Sequence, residues 1–131
     1  MNMHVKIASH MERPGNFTVI PHGAIDSDSY ADFKDKMAPL LTKSTKSIVL
    51  DLVDVDYISS AGLGVLFTMK KYLKEHSGDL LFCNLKPQIK RLFEIVKALP
   101  PEILFENASE ADAYFYKMMN EEIERQKEKQ D

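Results

Sequence analysis

An α/β fold, a small mixed β-sheet with about four helices packed on it, is predicted by three features of the chain. Short runs of β-branched, aromatic and aliphatic residues recur, at Phe17–Ile20, Ile48–Val53 and Leu80–Cys83. They read as strands. Longer segments between them carry apolar residues at helical spacing. Turn chemistry separates only the first pair of strands, so an N-terminal hairpin is followed by parallel crossovers. The chain has 131 residues, which suits one compact domain. We assign 1–119 to that domain and 120–131 to a charged C-terminal helix extension or tail.

The elements follow in order. Met3–Ser9 alternates weakly, with Val5 and Ile7 on one side, and fits an edge strand. Pro14-Gly15-Asn16 supplies a turn into the strand Phe17–Ile20. Ser27, Asp28 and Ser29 offer an N-cap to a helix reaching about Leu41. Tyr30, Phe33, Met37 and Leu40 fall on one face of it, expected to be the core face. Pro39 should end or bend that helix near Ala38. After the strand Ile48–Val53 a second helix runs to His76, closed by Ser77-Gly78 with the glycine as left-handed C-cap. Leu80–Cys83 is a short buried strand. Ile89, Leu92, Phe93, Val96 and Leu99 stripe a third helix, which has Pro87 in its first turn and stops at Pro100-Pro101. Ile103-Leu104-Phe105 forms a last short strand. The final helix opens at Asn107-Ala108-Ser109-Glu110, with Ala111, Tyr114, Phe115 and Met118 as its apolar side.

Composition excludes several classes. The net charge of −3 gives no basic face for nucleic acid. A lone cysteine, Cys83, cannot form an internal disulfide and fits a reducing compartment. No apolar run reaches the ~20 residues that cross a bilayer, and the N-terminus lacks a signal-peptide core. A cytoplasmic, soluble protein without a membrane partner is expected.

The informative stretch is Lys46–His76. Its strand ends in acid, at Asp54 and Asp56, and then come Ser59, Ser60, Ala61, Gly62 and Gly64. The serines therefore sit at a strand-to-helix turn, where a hydroxyl can cap the first free N–H groups. The same N–H groups and the helix dipole suit an anion. At about 100° per residue, Gly62, Val65, Leu66, Met69, Leu73 and His76 share a core face. Leu63 and Phe67 fall nearly opposite, in line with Lys70 and Lys74, and suggest a docking surface beside the serines.

Residues 54–66, DVDYISSAGLGVL, resemble the signature of the STAS domain, in the branch of bacterial anti-sigma factor antagonists. Gly23, Ile25 and Asp26 match a second family motif, though Ala24 replaces its usual acid. Pro87, Arg91, Leu92 and Phe93 match a third. The resemblance implies the STAS fold and a phosphorylated serine two residues before the first glycine of the loop, here Ser60, with Ser59 as the rival acceptor. It further implies a partner-binding surface, which we place at Asp26, Ser27, Asp56, Ser59, Ala61, Gly62, Leu63, Gly64 and Phe67. Asp26 has an equal claim as a helix cap. The implied partners are an anti-sigma factor with serine kinase activity, which the unphosphorylated protein sequesters, and a PP2C-type phosphatase that resets the switch. The alternative is a STAS scaffold, stressosome-like or transporter-associated, with no switch at Ser60.

Other chemistry is disfavoured. A Ser60–His22–Asp26 trio can be drawn, but Ser60 lacks the G-x-S-x-G elbow of hydrolases. The histidines, His4, His10, His22 and His76, lack metal-ligand spacing, and Gly62-Leu63-Gly64 lacks the lysine of a phosphate loop. Neither an enzyme nor a cofactor is expected.

Overall fold

The computed structural model describes residues 3–98 and 108–130. Strands β1 (Val5–Ser9), β2 (Asn16–Pro21), β3 (Ser47–Asp51) and β4 (Asp79–Cys83) form one sheet in that order. The β1–β2 pair is antiparallel, and β2–β3 and β3–β4 are parallel. Helices α1 (Tyr30–Met37), α2 (Ser60–Glu75) and α3 (Pro87–Ala98) fill the connections, and α4 (Ala108–Gln130) follows. A mixed sheet with a leading hairpin and four helices is thus observed. The expected strand at Ile103–Phe105 and the stop at Pro100-Pro101 lie outside the described residues.

Register explains the core. Val19 faces Leu50 and Ile48 faces Leu80 across neighbouring strands, and all four are fully buried. Residues one step along point the other way: Leu81 is 48% exposed, and Val49 beside it is half-buried. The helices therefore gather on one face of the sheet. Phe33 and Met37 of α1, Leu66, Met69 and Leu73 of α2, and Ile89 and Leu92 of α3 close that core.

Several expectations change at the ends of elements. Pro39 does stop α1, which passes into a single 3-10 turn over Ala38–Leu40. Tyr30, expected in the core, is 38% exposed at the first position of α1. At the end of α2 the left-handed residue is Ser77, with φ 64°, not Gly78. The Gly78 and Ser77 amides donate to the carbonyls of Leu73 and Lys74 in the double-bonded C-terminal motif. Gly78 is needed for space: a Cβ there would lie 2.8 Å from the Thr45 carbonyl oxygen. Helix α4 continues unbroken past Asn120 to Gln130. Its inward residues are Phe115 and Met119, one position on from the expected Met118. Glu122 follows on the same side, nearly buried, accepting hydrogen bonds from Arg125 and Gln126.

Leu63 is the main correction. It was expected to face away from the core, yet it is 3% exposed and belongs to the same apolar cluster as Phe115 and Met119. Helix α4 packs on α3 and also on α2. This gives α2 a second buried side, whereas a helical wheel drawn for a two-layer protein allows it one. Phe67 remains outside, 49% exposed. Leu63→Ala should therefore cost about 2–5 kcal/mol of stability, as buried leucine truncations do. Urea denaturation reads this directly, and a loss under about 0.5 kcal/mol would return Leu63 to the surface.

Candidate functional site

The site is built where two loops are sewn together. The loop after β2 and the loop after β3 meet through Ile25. Its amide donates to the Tyr57 carbonyl at 3.0 Å, and its carbonyl accepts from the Ser59 amide at 2.9 Å. Ile25 and Ile58 form an isolated parallel bridge, and both side chains are fully buried. One residue pair thus extends the β2–β3 pairing beyond a gap. The Gly23 amide donates to the Asp54 carbonyl at 3.0 Å, tying the gap as well. From the opposite side the Gln88 amide group of α3 donates to the Asp56 carbonyl at 3.2 Å.

Helix α2 starts on this platform. Ser59 is its N-cap, with extended φ and ψ, and its Oγ accepts from the Gly62 amide at 3.3 Å. Ser59 is 3% exposed. Ser60 is the first helical residue and is half-buried, its Oγ turned inward with less than 1 Å² accessible. The one-residue offset between the serines thus separates a buried capping residue from a half-buried one whose hydroxyl is tucked inward. Gly62 lies against the Ile25 peptide: an added Cβ would sit 2.3 Å from the Ile25 carbonyl oxygen. Around an added Cβ at Gly64 there is open space.

The loop after β2 is stiffened in the same manner. Asp26 Oδ1 accepts from the Asp28 amide at 2.9 Å and the Ser29 amide at 3.1 Å. Ser29 Oγ donates to the Ala24 carbonyl and accepts from the Asp26 amide. Ser29 occupies the N-cap position of α1 without a side-chain cap bond, so Asp26 supplies the carboxylate of that turn. His22 Nδ1 lies 2.9 Å from Asp54 Oδ2 and its ring stacks on His4. His22 and Asp26 thus hold separate partners, and the trio drawn from sequence is not assembled. Cys83 is half-buried, and burial, with the Asp51 charge nearby, raises its thiol pKa. Among the described residues no group of three or more His, Cys, Asp or Glu side chains converges to hold a metal. None of their helices is long and apolar enough to cross a membrane.

The expected site residues divide into two sets. Asp26, Ser27, Asp56, Ser60, Ala61, Gly64 and Phe67 reach the accessible edge around the first turns of α1 and α2. Ser59, Gly62 and Leu63 do not, being buried as cap, close contact and core. Two residues that border or brace this edge escaped the sequence reading. Tyr30 was assigned to the core by periodicity, although a residue in a first helical turn has least of the core beneath it. Gln88 anchors Asp56, with no local pattern linking positions so far apart.

The STAS domain family model matches residues 9–111, which includes both loops and the serine turn. The chain belongs to the STAS domain family. A putative anti-sigma factor antagonist of Bordetella bronchiseptica, BtrV, is 38% identical over 73 residues, which are 56% of this chain and 63% of that protein. The matched stretch thus spans under two thirds of this relative. Among solved structures, an anti-sigma factor antagonist from Mycobacterium paratuberculosis superposes with TM-score 0.60 at 20% identity, over 88% of this chain and 95% of that one. Unphosphorylated SpoIIAA, an anti-sigma factor antagonist, superposes with TM-score 0.59 at 14% identity, over 82% and 94%. These likenesses establish the shared STAS fold.

The two helix glycines of this STAS domain predict opposite outcomes. Gly62→Ala drives a methyl into backbone that cannot yield, and should cost about 1–3 kcal/mol or more. Gly64→Ala meets nothing and should gain about 1 kcal/mol from helix propensity. Paired urea titrations decide it; equal shifts would mean that the Ile25 contact is not tight.

Proposed function

We propose that this STAS domain is an anti-sigma factor antagonist whose binding is switched by phosphorylation of Ser60. Unphosphorylated, it sequesters an anti-sigma factor that is also a serine kinase, and a sigma factor is released. Phosphorylation ends the complex, and a PP2C-type phosphatase restores it. The observation that carries this reading is the placement of Ser60. It stands half-buried at the first position of a long helix, one side-chain rotation from solvent, while Ser59 is buried and committed to the Gly62 amide. The relatives named as antagonists support the same class of function. Partner contacts are assigned to Asp26, Ser27, Asp56, Ala61, Gly64 and Phe67, the accessible members of the expected set.

The electrostatics of the switch follow from the surroundings. A phosphate adds about −1.5 to −2 charges at neutral pH. At the start of α2 it meets the positive end of the helix dipole, so the fold tolerates it. The surface does not stay neutral toward a partner. Asp28, Asp54 and Asp56 are exposed there and Asp26 is half-buried, so the phosphate deepens an already acidic patch. A partner seated over the tucked-in hydroxyl then meets bulk, repulsion and a desolvation cost. A few kcal/mol abolishes a micromolar complex at cellular concentrations.

Incubation with the cognate kinase and ATP, followed by mass spectrometry, should place one phosphate on Ser60. Ser60→Asp should not bind the anti-sigma factor, and Ser60→Ala should bind it permanently. Phosphate on Ser59 would move the switch by one residue. Its absence with the genuine kinase present would leave a STAS scaffold. Phe67→Ala should weaken the complex by about 1 kcal/mol or more without lowering the melting temperature, since half of the ring is already in solvent.

A further inference from the structure

The sheet has a second face. Val19, Ile48, Leu50 and Leu80 point to the helices, and the residues between them point away. Among the described residues the helices gather on the first face, and Leu81 on the outer one is 48% exposed. Yet β3 and β4 do not alternate apolar with polar. Ile48-Val49-Leu50 and Leu80-Leu81-Phe82-Cys83 are continuous apolar runs. Parallel strands with such runs are ordinarily covered on both faces.

The outer face is graded from edge to edge. One row crosses all four strands in register: Ala8 of β1, Thr18 of β2, Val49 of β3 and Leu81 of β4. Side-chain size rises along it. Charge is divided in the same direction. In the next row Lys6 stands on β1, beside Ile20, and Asp51 on β3, beside Cys83. Lys6 is exposed and, among the described residues, in no ion pair. Asp51 accepts from the Val53 amide and from Asn84, both through Oδ1. A surface graded in this way complements itself when it is reversed. A two-fold axis parallel to the strands makes that reversal: the small end of the row meets the large end, and the lysine edge meets the acidic edge. A foreign protein would have to supply the reversed gradient, whereas a second copy of the chain already carries it.

We propose that the outer face of the sheet pairs with the same face of a second copy of this chain, about a two-fold axis parallel to the strands, with Leu81 seated over Ala8 and Lys6 against Asp51 across the interface. Sheets packed face to face in near alignment interdigitate their side chains in this manner, and a two-fold contact uses one patch twice. Four strands of five or six residues give a face of about 19 by 17 Å. That size suits a weak, reversible dimer. The axis leaves the strands of both copies pointing the same way. The two serine turns, which follow the ends of their β3 strands, then stand at one end of the dimer and remain uncovered. The pairing does not depend on a switch at Ser60.

Sedimentation velocity of the purified chain, from micromolar to millimolar concentration, should show a monomer–dimer equilibrium. Leu81→Lys should weaken dimerisation by at least roughly 30-fold, the scale of an interface hot spot. It should leave the circular dichroism of the monomer unchanged, since the side chain is already half in solvent. Lys6→Asp and Asp51→Lys should each stay monomeric, because each sets like charges opposite one another. Their equimolar mixture should dimerise, because both contacts are then of opposite sign. Mild oxidation in a Cys83→Ser background reads the geometry separately. Chains with Ala8→Cys should crosslink to chains with Leu81→Cys, and neither variant should crosslink to itself. Should Asp51→Lys fail to fold for want of its Val53 and Asn84 bonds, Leu81→Lys and the crosslinks still decide. A monomer at every concentration, a dimer that Leu81→Lys leaves intact, or a mixture that does not crosslink would overturn the proposal.

Discussion

The peptide of Ile25 is gripped on three sides. Its amide and carbonyl are hydrogen-bonded to the chain at Tyr57 and Ser59, and its carbonyl oxygen is pressed against Gly62. The first two contacts pin the loop after β2 to the loop after β3. The third sets the height at which α2 begins. Because Ser59 uses its amide in this grip, its side chain is directed back to cap Gly62, and Ser60 is left half-buried as the first helical residue. Buried backbone groups cost heavily when unpaired, so this short zipper also defends itself against opening. Gln88 holds the same loop from α3, so the site inherits the rigidity of the core.

This construction separates stability from recognition along α2. Gly62, Leu63, Val65, Leu66, Met69 and Leu73 face inward toward the sheet, α1 and α4. Gly64, Phe67 and Thr68 face outward, and Ser60 is half-buried at their end of the helix. The division is sharp between neighbouring turns, since Leu63 belongs to the core and Phe67 stays out of it. A surface carried on a helix that is held on two sides moves little between its free and bound states. Affinity is then set by the side chains at the surface and little by the ordering of the backbone.

Much of this was legible in the chain. The strands announced themselves by compact aliphatic runs bounded by turns, and Pro39 stopped α1 where its missing N–H demands. The strand-to-helix turn with its hydroxyl cap was visible at Ser59-Ser60. What periodicity could not supply was the number of layers: Leu63 lies on a second buried side that exists only because a distant helix returns. Nor could spacing decide which serine caps, since that depends on the pairing of Ser59 with Ile25. The left-handed residue after α2 was misplaced by one for a related reason. Gly78 offered freedom of φ, but crowding by Thr45 is what requires it, and Ser77 takes the turn.

The inward set of the Ser60 hydroxyl has a consequence for how quickly such a module changes state. With almost none of its oxygen accessible, the side chain must rotate about χ1 before a phosphoryl group can reach it. In the switch proposed for Ser60, the two forms would differ in that side-chain torsion as well as in charge. Side-chain rotation takes picoseconds to nanoseconds, far faster than any turnover of a kinase or phosphatase. In the proposed switch, the delay between modification and its readout would then lie with the enzymes and with partner dissociation, not with the rotation of this side chain.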